Sequence, residues 1–126
     1  MTTFDLESTY LGLDGAGRVT AMPGGDAFWR NVDKYPAAAG GTLVTVHTGE
    51  GDWTSWEMHP HGDEVLVVLE GHARMIFERP DGDEEHALAP GTTLIIPAGT
   101  WHMAREQKGL RTLFITYGKG TSHKPA

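Results

Sequence analysis

From residue 40 to residue 118 apolar and polar positions alternate in short bursts, each closed by Gly, Pro or Asp. GTLVTVHTG, TSWEMHP, EVLVVLEG, HARMIFE, EHALAPG, TTLIIPAG and RTLFITYG each read as a strand, and PDGD marks a tight turn between the fourth and the fifth. Gly71 is expected to permit a reversal after EVLVVLE. No stretch among them keeps a helical period over a useful length. Ahead of them, residues 1–39 mix short apolar pieces with glycine and read as an N-terminal arm and edge strands. A helical turn over residues 26–31 is capped in this reading by Asp26. Residues 119–126 offer no apolar anchor and read as a flexible tail. The pattern predicts one all-β domain.

Composition agrees with this reading and narrows the chemistry. Seventeen Gly and seven Pro beside 39% hydrophobic residues suit many short strands joined by tight turns, and 126 residues suffice for one core. The chain has no cysteine, so any metal must be held through nitrogen and oxygen. A net charge of −7 with no basic stripe opposes nucleic-acid binding. There is no basic-then-apolar leader pattern and no long apolar run, which points to a cytoplasmic protein with no membrane contact. A small-molecule ligand is the expected partner.

Two clusters set ligand-type side chains beside glycine turns. In WEMHPHGDEVLVVLEG, alternation along a strand can send Glu57, His59 and His61 to one face, and Glu64 returns on the next strand. In GTTLIIPAGTWH, Gly91 opens a strand, Pro97 and Gly99 form a sharp turn, and His102 follows it. Two imidazoles and a carboxylate from separate strands are a donor set that iron, manganese, nickel or zinc accepts. His47, His72, His86 and His123 stand alone and are read as lying outside the site. Glu70 and the acidic run DGDEEH are read as solvent-facing.

These clusters resemble the paired motifs of the cupin superfamily. Gly91, Pro97, Gly99 and His102 match its second motif position for position, with Glu106 where the family has asparagine. In the first motif Glu64 and Gly71 fit, and His59 takes the place of the second histidine, so that Glu57 replaces the first. Pairing His59 with His61 would shorten the gap to Glu64 below what the family tolerates, so the Glu57 and His59 register is favoured. The resemblance implies a cupin-type double-stranded β-helix, or jelly-roll barrel, with a divalent metal inside. His59, Glu64, His102 and Glu57 are the expected metal ligands, with Glu57 alternatively a catalytic general base.

Similar barrels host many chemistries, so the resemblance leaves three functions open. One is a metal-dependent enzyme on a small organic molecule, most simply a dioxygenase. The second is a non-catalytic module that binds a metal or metabolite, and the third is a metal-free isomerase. Trp53, Ser55, Leu66, Val68 and Phe114 are the expected barrel lining, suited to a flat, small substrate. Alternation also sends Trp56, Met58, Val65, Val67 and Leu69 outward. As a contiguous apolar face they predict a homodimer, or a cover by the arm residues Phe4, Leu6, Leu11 and Leu13.

Overall fold

The computed structural model describes residues 2–126, and antiparallel strands dominate it. A hairpin comes first, made of β1 (Thr9–Leu13) and β2 (Val19–Pro23), with Asp14 Oδ1 accepting from the Ala16 and Arg18 amides in its turn. Two short helices, α1 (Asp26–Arg30) and α2 (Pro36–Ala39), flank a single 3-10 turn at Val32–Lys34. Asp26 does not cap α1: the cap position is Gly25, at φ 94°, and Asp26 lies within the first turn. Phe28 of α1 packs with Tyr10, Met22, Ala38 and Leu43, closing one side of the sheet.

The remaining strands are β3 (Thr42–Gly51), β4 (Ser55–Met58), β5 (Glu64–Phe77), β6 (Glu84–Leu88), β7 (Thr93–Ile96), β8 (His102–Tyr117) and β9 (Ser122–Pro125). β5 and β8 pair along most of their length. β3 flanks β8, while β7 and β6 pair successive halves of β5. Gly71 therefore bends β5 instead of ending it, and EVLVVLEG and HARMIFE are one strand. The register shifts on both sides of it, and it sits at φ 79°. A Cβ there would lie 2.2 Å from the Gly109 carbonyl oxygen, so the close approach of β5 and β8 requires glycine.

Residues 119–126 are not the loose tail that their composition suggests. β9 pairs with β4 from Ser55↔Pro125 to Met58↔Ser122, because backbone pairing needs no apolar side chain. Lys124 adds an ion pair to Glu78 at 2.7 Å and lies 4.6 Å from the Trp101 ring.

The interior is built by the inward positions of β5 and β8. Leu66, Val68, Ala73, Met75, Phe77, Leu88, Ile96, Ala104 and Leu110 form one buried cluster. The five residues expected on one outer face are divided, because β4 pairs with β8 and β9 and not with β5. Trp56 is buried with Ile76 and Met103. Val65 and Val67 instead share the outer face of the sheet with Ile95, Leu113 and Ile115, their cross-strand partners. On that face Leu69 and Ile95 are 39% and 70% exposed. Val46, beneath the same face, is buried, and the Leu6 carbonyl of the arm accepts from its amide. Among the described residues no helix is long and apolar enough to cross a membrane.

Candidate metal centre

β4 carries Glu57 and ends at Met58, just before His59, while β5 opens on Glu64 and β8 opens on His102. Strand alternation puts Glu57 and His59 on one face, as the sequence predicts, and Glu57 lies opposite His102 in the β4 and β8 pairing. The two motif turns are clasped together. Gly99 donates its amide to the His59 carbonyl at 2.9 Å, and the Ala98 amide donates to Asp63 Oδ1 at 2.9 Å. Thus the PAG and HGD turns hold two strand ends in register.

The ligand-type atoms of Glu57, His59, Glu64 and His102 all lie within 4.8 Å of one another. His59 Nε2 is 2.9 Å from Glu57 Oε1 and 3.2 Å from Glu64 Oε2, and His102 Nε2 is 3.3 Å from Glu64 Oε1. These contacts are close but not aligned as hydrogen bonds. His59 Nε2, Glu64 Oε1 and His102 Nε2 are buried without a hydrogen-bond partner. Buried polar atoms left this way are costly, and three of them facing a common point are what a cation would satisfy.

The far sides of the same groups are held. His102 Nδ1 lies 3.0 Å from the Thr100 carbonyl, which only accepts, so that nitrogen carries a proton and Nε2 is the one turned to the cluster, open to a metal or a second proton. Thr116 donates its hydroxyl to Glu64 Oε2 at 2.5 Å. Burial alone pushes both imidazoles down, but Glu57 and Glu64 outweigh it and hold His59 and His102 at about 9. Burial likewise favours the neutral acid at Glu57 and Glu64, and the surrounding histidines overcome it and keep both carboxyls lowered. Two carboxylates that draw protons onto two imidazoles form a cluster that stabilises positive charge at its centre. A divalent ion would supply that charge.

A cavity of about 860 Å³ opens onto the cluster. Trp53, Ser55 and Phe114 line it as expected, whereas Leu66 and Val68 belong to the packed interior and do not. Sequence reasoning missed the contribution of the arm, whose Tyr10 and Trp29 form part of the wall. His61 is exposed, outside the cluster, and lies against the Gly120 turn. His72 is exposed, and His86, also exposed, contacts Glu84 at 2.9 Å. Reading His47 and His123 as remote needs correction. Both line the cavity, and His123 Nε2 is 3.1 Å from Glu57 Oε2. The only sequence signal for His123 was the Gly-Lys-Gly turn that folds β9 back onto β4.

The family model that describes the cupin domain matches residues 42–116, which include all four clustered residues. The uncharacterized protein YdbB of Bacillus subtilis is 41% identical over 63 residues, 49% of this chain and 50% of that protein. The chain thus spans about half the length of that curated relative. Among solved structures, a cupin superfamily protein from Desulfitobacterium hafniense superposes with a TM-score of 0.51 at 23% identity, over 60% of this chain and 65% of the other. The hydroquinone 1,2-dioxygenase PnpCD, in complex with Cd2+ and 4-hydroxybenzonitrile, gives 0.50 at 20% identity, over 60% and 56%. Likeness at this level shows the shared barrel fold.

Proposed function

The chain belongs to the cupin-domain family, and we propose that it uses this barrel to hold a divalent metal beside a cavity for a small organic molecule. The observation that carries the reading is the set of three buried, partnerless atoms on His59, Glu64 and His102, with Glu57 Oε1 facing the same centre. Both oxygens of Glu57 are engaged, one toward the imidazoles and one toward His123, which favours a ligand role over that of a free base. Two carboxylates make the donor set oxygen-rich, which suits iron or manganese better than softer ions. Bound there, such an ion supplies Lewis acidity and open positions for substrate and oxygen.

The cavity supports a neutral, flat substrate. Tyr10, Trp29, Trp53 and Phe114 contribute aromatic surface, no Lys or Arg lines it, and Asp33 and Asp52 do. A carboxylate or phosphate ligand would meet like charge at Asp33 and Asp52, with no Lys or Arg beside the metal to help pair it. Metal-dependent dioxygenation of a small aromatic is the activity we favour. Elemental analysis of the isolated protein, with oxygen uptake on a panel of phenols and diketones, tests it. Stoichiometric iron or manganese with uptake supports the oxygenase. Metal without turnover of any panel member supports a binding module instead, and absence of metal overturns the reading.

We also propose that two copies pair through the outer face of β5, β7 and β8, where Val65, Val67, Ile95, Leu113 and Ile115 meet. Isologous contact of this face would cover Ile95, which is 70% exposed. Sedimentation equilibrium is expected to give a dimer that Ile95→Glu dissociates. A concentration-independent monomer of 13.7 kDa overturns this.

A further inference from the structure

We propose that Thr121 and His123 are positioning residues of the metal site, orienting His59 and Glu57 from a segment outside the residues the family model matches. The inference rests on the metal reading above and adds to it how two of the four ligands are aimed. Thr121 Oγ1 lies 2.9 Å from the Gly118 carbonyl and 2.8 Å from His59 Nδ1. A hydroxyl has one proton, and a carbonyl oxygen can only accept, so that proton goes to Gly118. The Thr121 oxygen is left to accept, and it therefore receives the proton of His59 Nδ1. This fixes the tautomer whose lone pair sits on Nε2, the atom that faces the cluster.

His102 obtains the same result from the Thr100 carbonyl, two residues away. His59 obtains it from a side chain 62 residues away, through the turn that carries the chain from β8 to β9. That turn is packed against the His59 loop: a Cβ on Gly120 would come within 3.3 Å of Pro60 Cγ and of His61 Cδ2. Further along β9, His123 takes Glu57 Oε2 at 3.1 Å, which leaves Oε1 pointing at the two Nε2 atoms. One short segment thus sets both ligands contributed by β4 and the residues that follow it. Glu64 and His102 have their holders within residues 42–116, in Thr116 and Thr100.

The test uses the full chain with Co(II) as probe, its affinity read by chelator competition and its geometry by the visible d–d spectrum. Thr121→Val keeps shape and removes the acceptor, and is expected to weaken Co(II) binding roughly 10- to 100-fold. Thr121→Ser restores the acceptor and is expected to recover most of the affinity. His123→Ala is expected to lose about 10-fold at most and to alter the spectrum, while His123→Gln, which keeps a donor, loses less. A structural role alone would lower the thermal midpoint of the metal-free protein and leave affinity and spectrum unchanged. If Thr121→Val and His123→Ala fold and bind Co(II) as the parent does, the positioning roles are wrong and the metal reading stands. If the parent itself binds no Co(II), the metal reading fails and this inference with it. His123 is exposed, so His123→Ala decides the question should Thr121→Val not fold.

Discussion

Two regions of the barrel interior are built from the same pair of strands and are opposite in character. Their first residues, Glu64 of β5 and His102 of β8, stand at opposite ends of the pairing, facing Thr116 and Phe77, yet meet in the cluster that opens on a cavity. The rest of the two strands supplies Leu66, Val68, Met75, Phe77 and Ala104, packed so closely that Met75 and Ala104 have no exposed surface. The apolar region carries the fold through burial of apolar surface. The other leaves polar atoms without partners, a cost that a folded domain tolerates where a ligand repays it.

Removing one side chain from each region breaks this contrast most sharply. Phe77→Ala is expected to destabilise by about 3–5 kcal/mol in urea titration of the metal-free protein, through lost burial and a cavity. His102→Ala is expected to abolish metal retention on dialysis while the metal-free protein keeps its fold. Full metal content in His102→Ala would place the site elsewhere.

The next effect separates two residues four apart, Glu57 in β4 and His61 in the turn after it. Glu57→Gln exchanges a carboxylate for a poorer amide ligand and is expected to weaken metal binding or change the ion preferred, whereas His61→Ala keeps most of the metal. The opposite ranking in a chelator titration would revive the pairing of His59 with His61.

A smaller effect concerns pH. His59 and His102 are held at about 9, above the ordinary 6.5, so their contribution to metal-free stability is full below 6.5 and lost as pH rises through about 9. Glu57 and Glu64 are lowered below 4.5, so theirs is present above 4.5 and lost as pH falls through the lowered values. The urea midpoint of chelator-treated protein is expected to fall between about pH 6 and pH 10. Metal-loaded protein is expected to lose metal in the acid direction instead, because protons compete for the imidazoles. A flat midpoint in the metal-free protein would show that the imidazoles are not coupled to the carboxylates.

The legible part of the molecule is the part whose physics is local. Alternation in EVLVVLEG and HARMIFE gave the inward stripe, and the spacing of Gly91, Pro97, Gly99 and His102 gave the turn that delivers one imidazole. All four candidate ligands were readable because each sits next to a turn that shows in the sequence. What was not readable depends on pairing between distant segments. Gly71 looks like a reversal until β8 is seen pairing both halves of β5. Trp56 looks outward-facing until Ile76 and Met103 cover it. Glu106 stands at the motif position of an asparagine, and its φ of 56° supplies a backbone reason for that residue type, which tolerates left-handed geometry better than glutamate. The bidentate contact of Glu106 with Arg74, both distances 3.0 Å, exists only once β5 and β8 are side by side.

The hydrogen bond between Thr121 and His59 also bears on the order in which the protein assembles. A contact spanning 62 residues closes a long loop, and loop closure costs entropy that must be met before the contact repays it. Glu57 and His59 are near neighbours, but all four groups and their holders come together only when β4, β5, β8 and β9 are all in place. The nascent chain therefore carries no complete chelate for an ion to capture early. Under the metal reading proposed above, acquisition is expected to follow folding, so stopped-flow refolding with and without metal should show the same main phase.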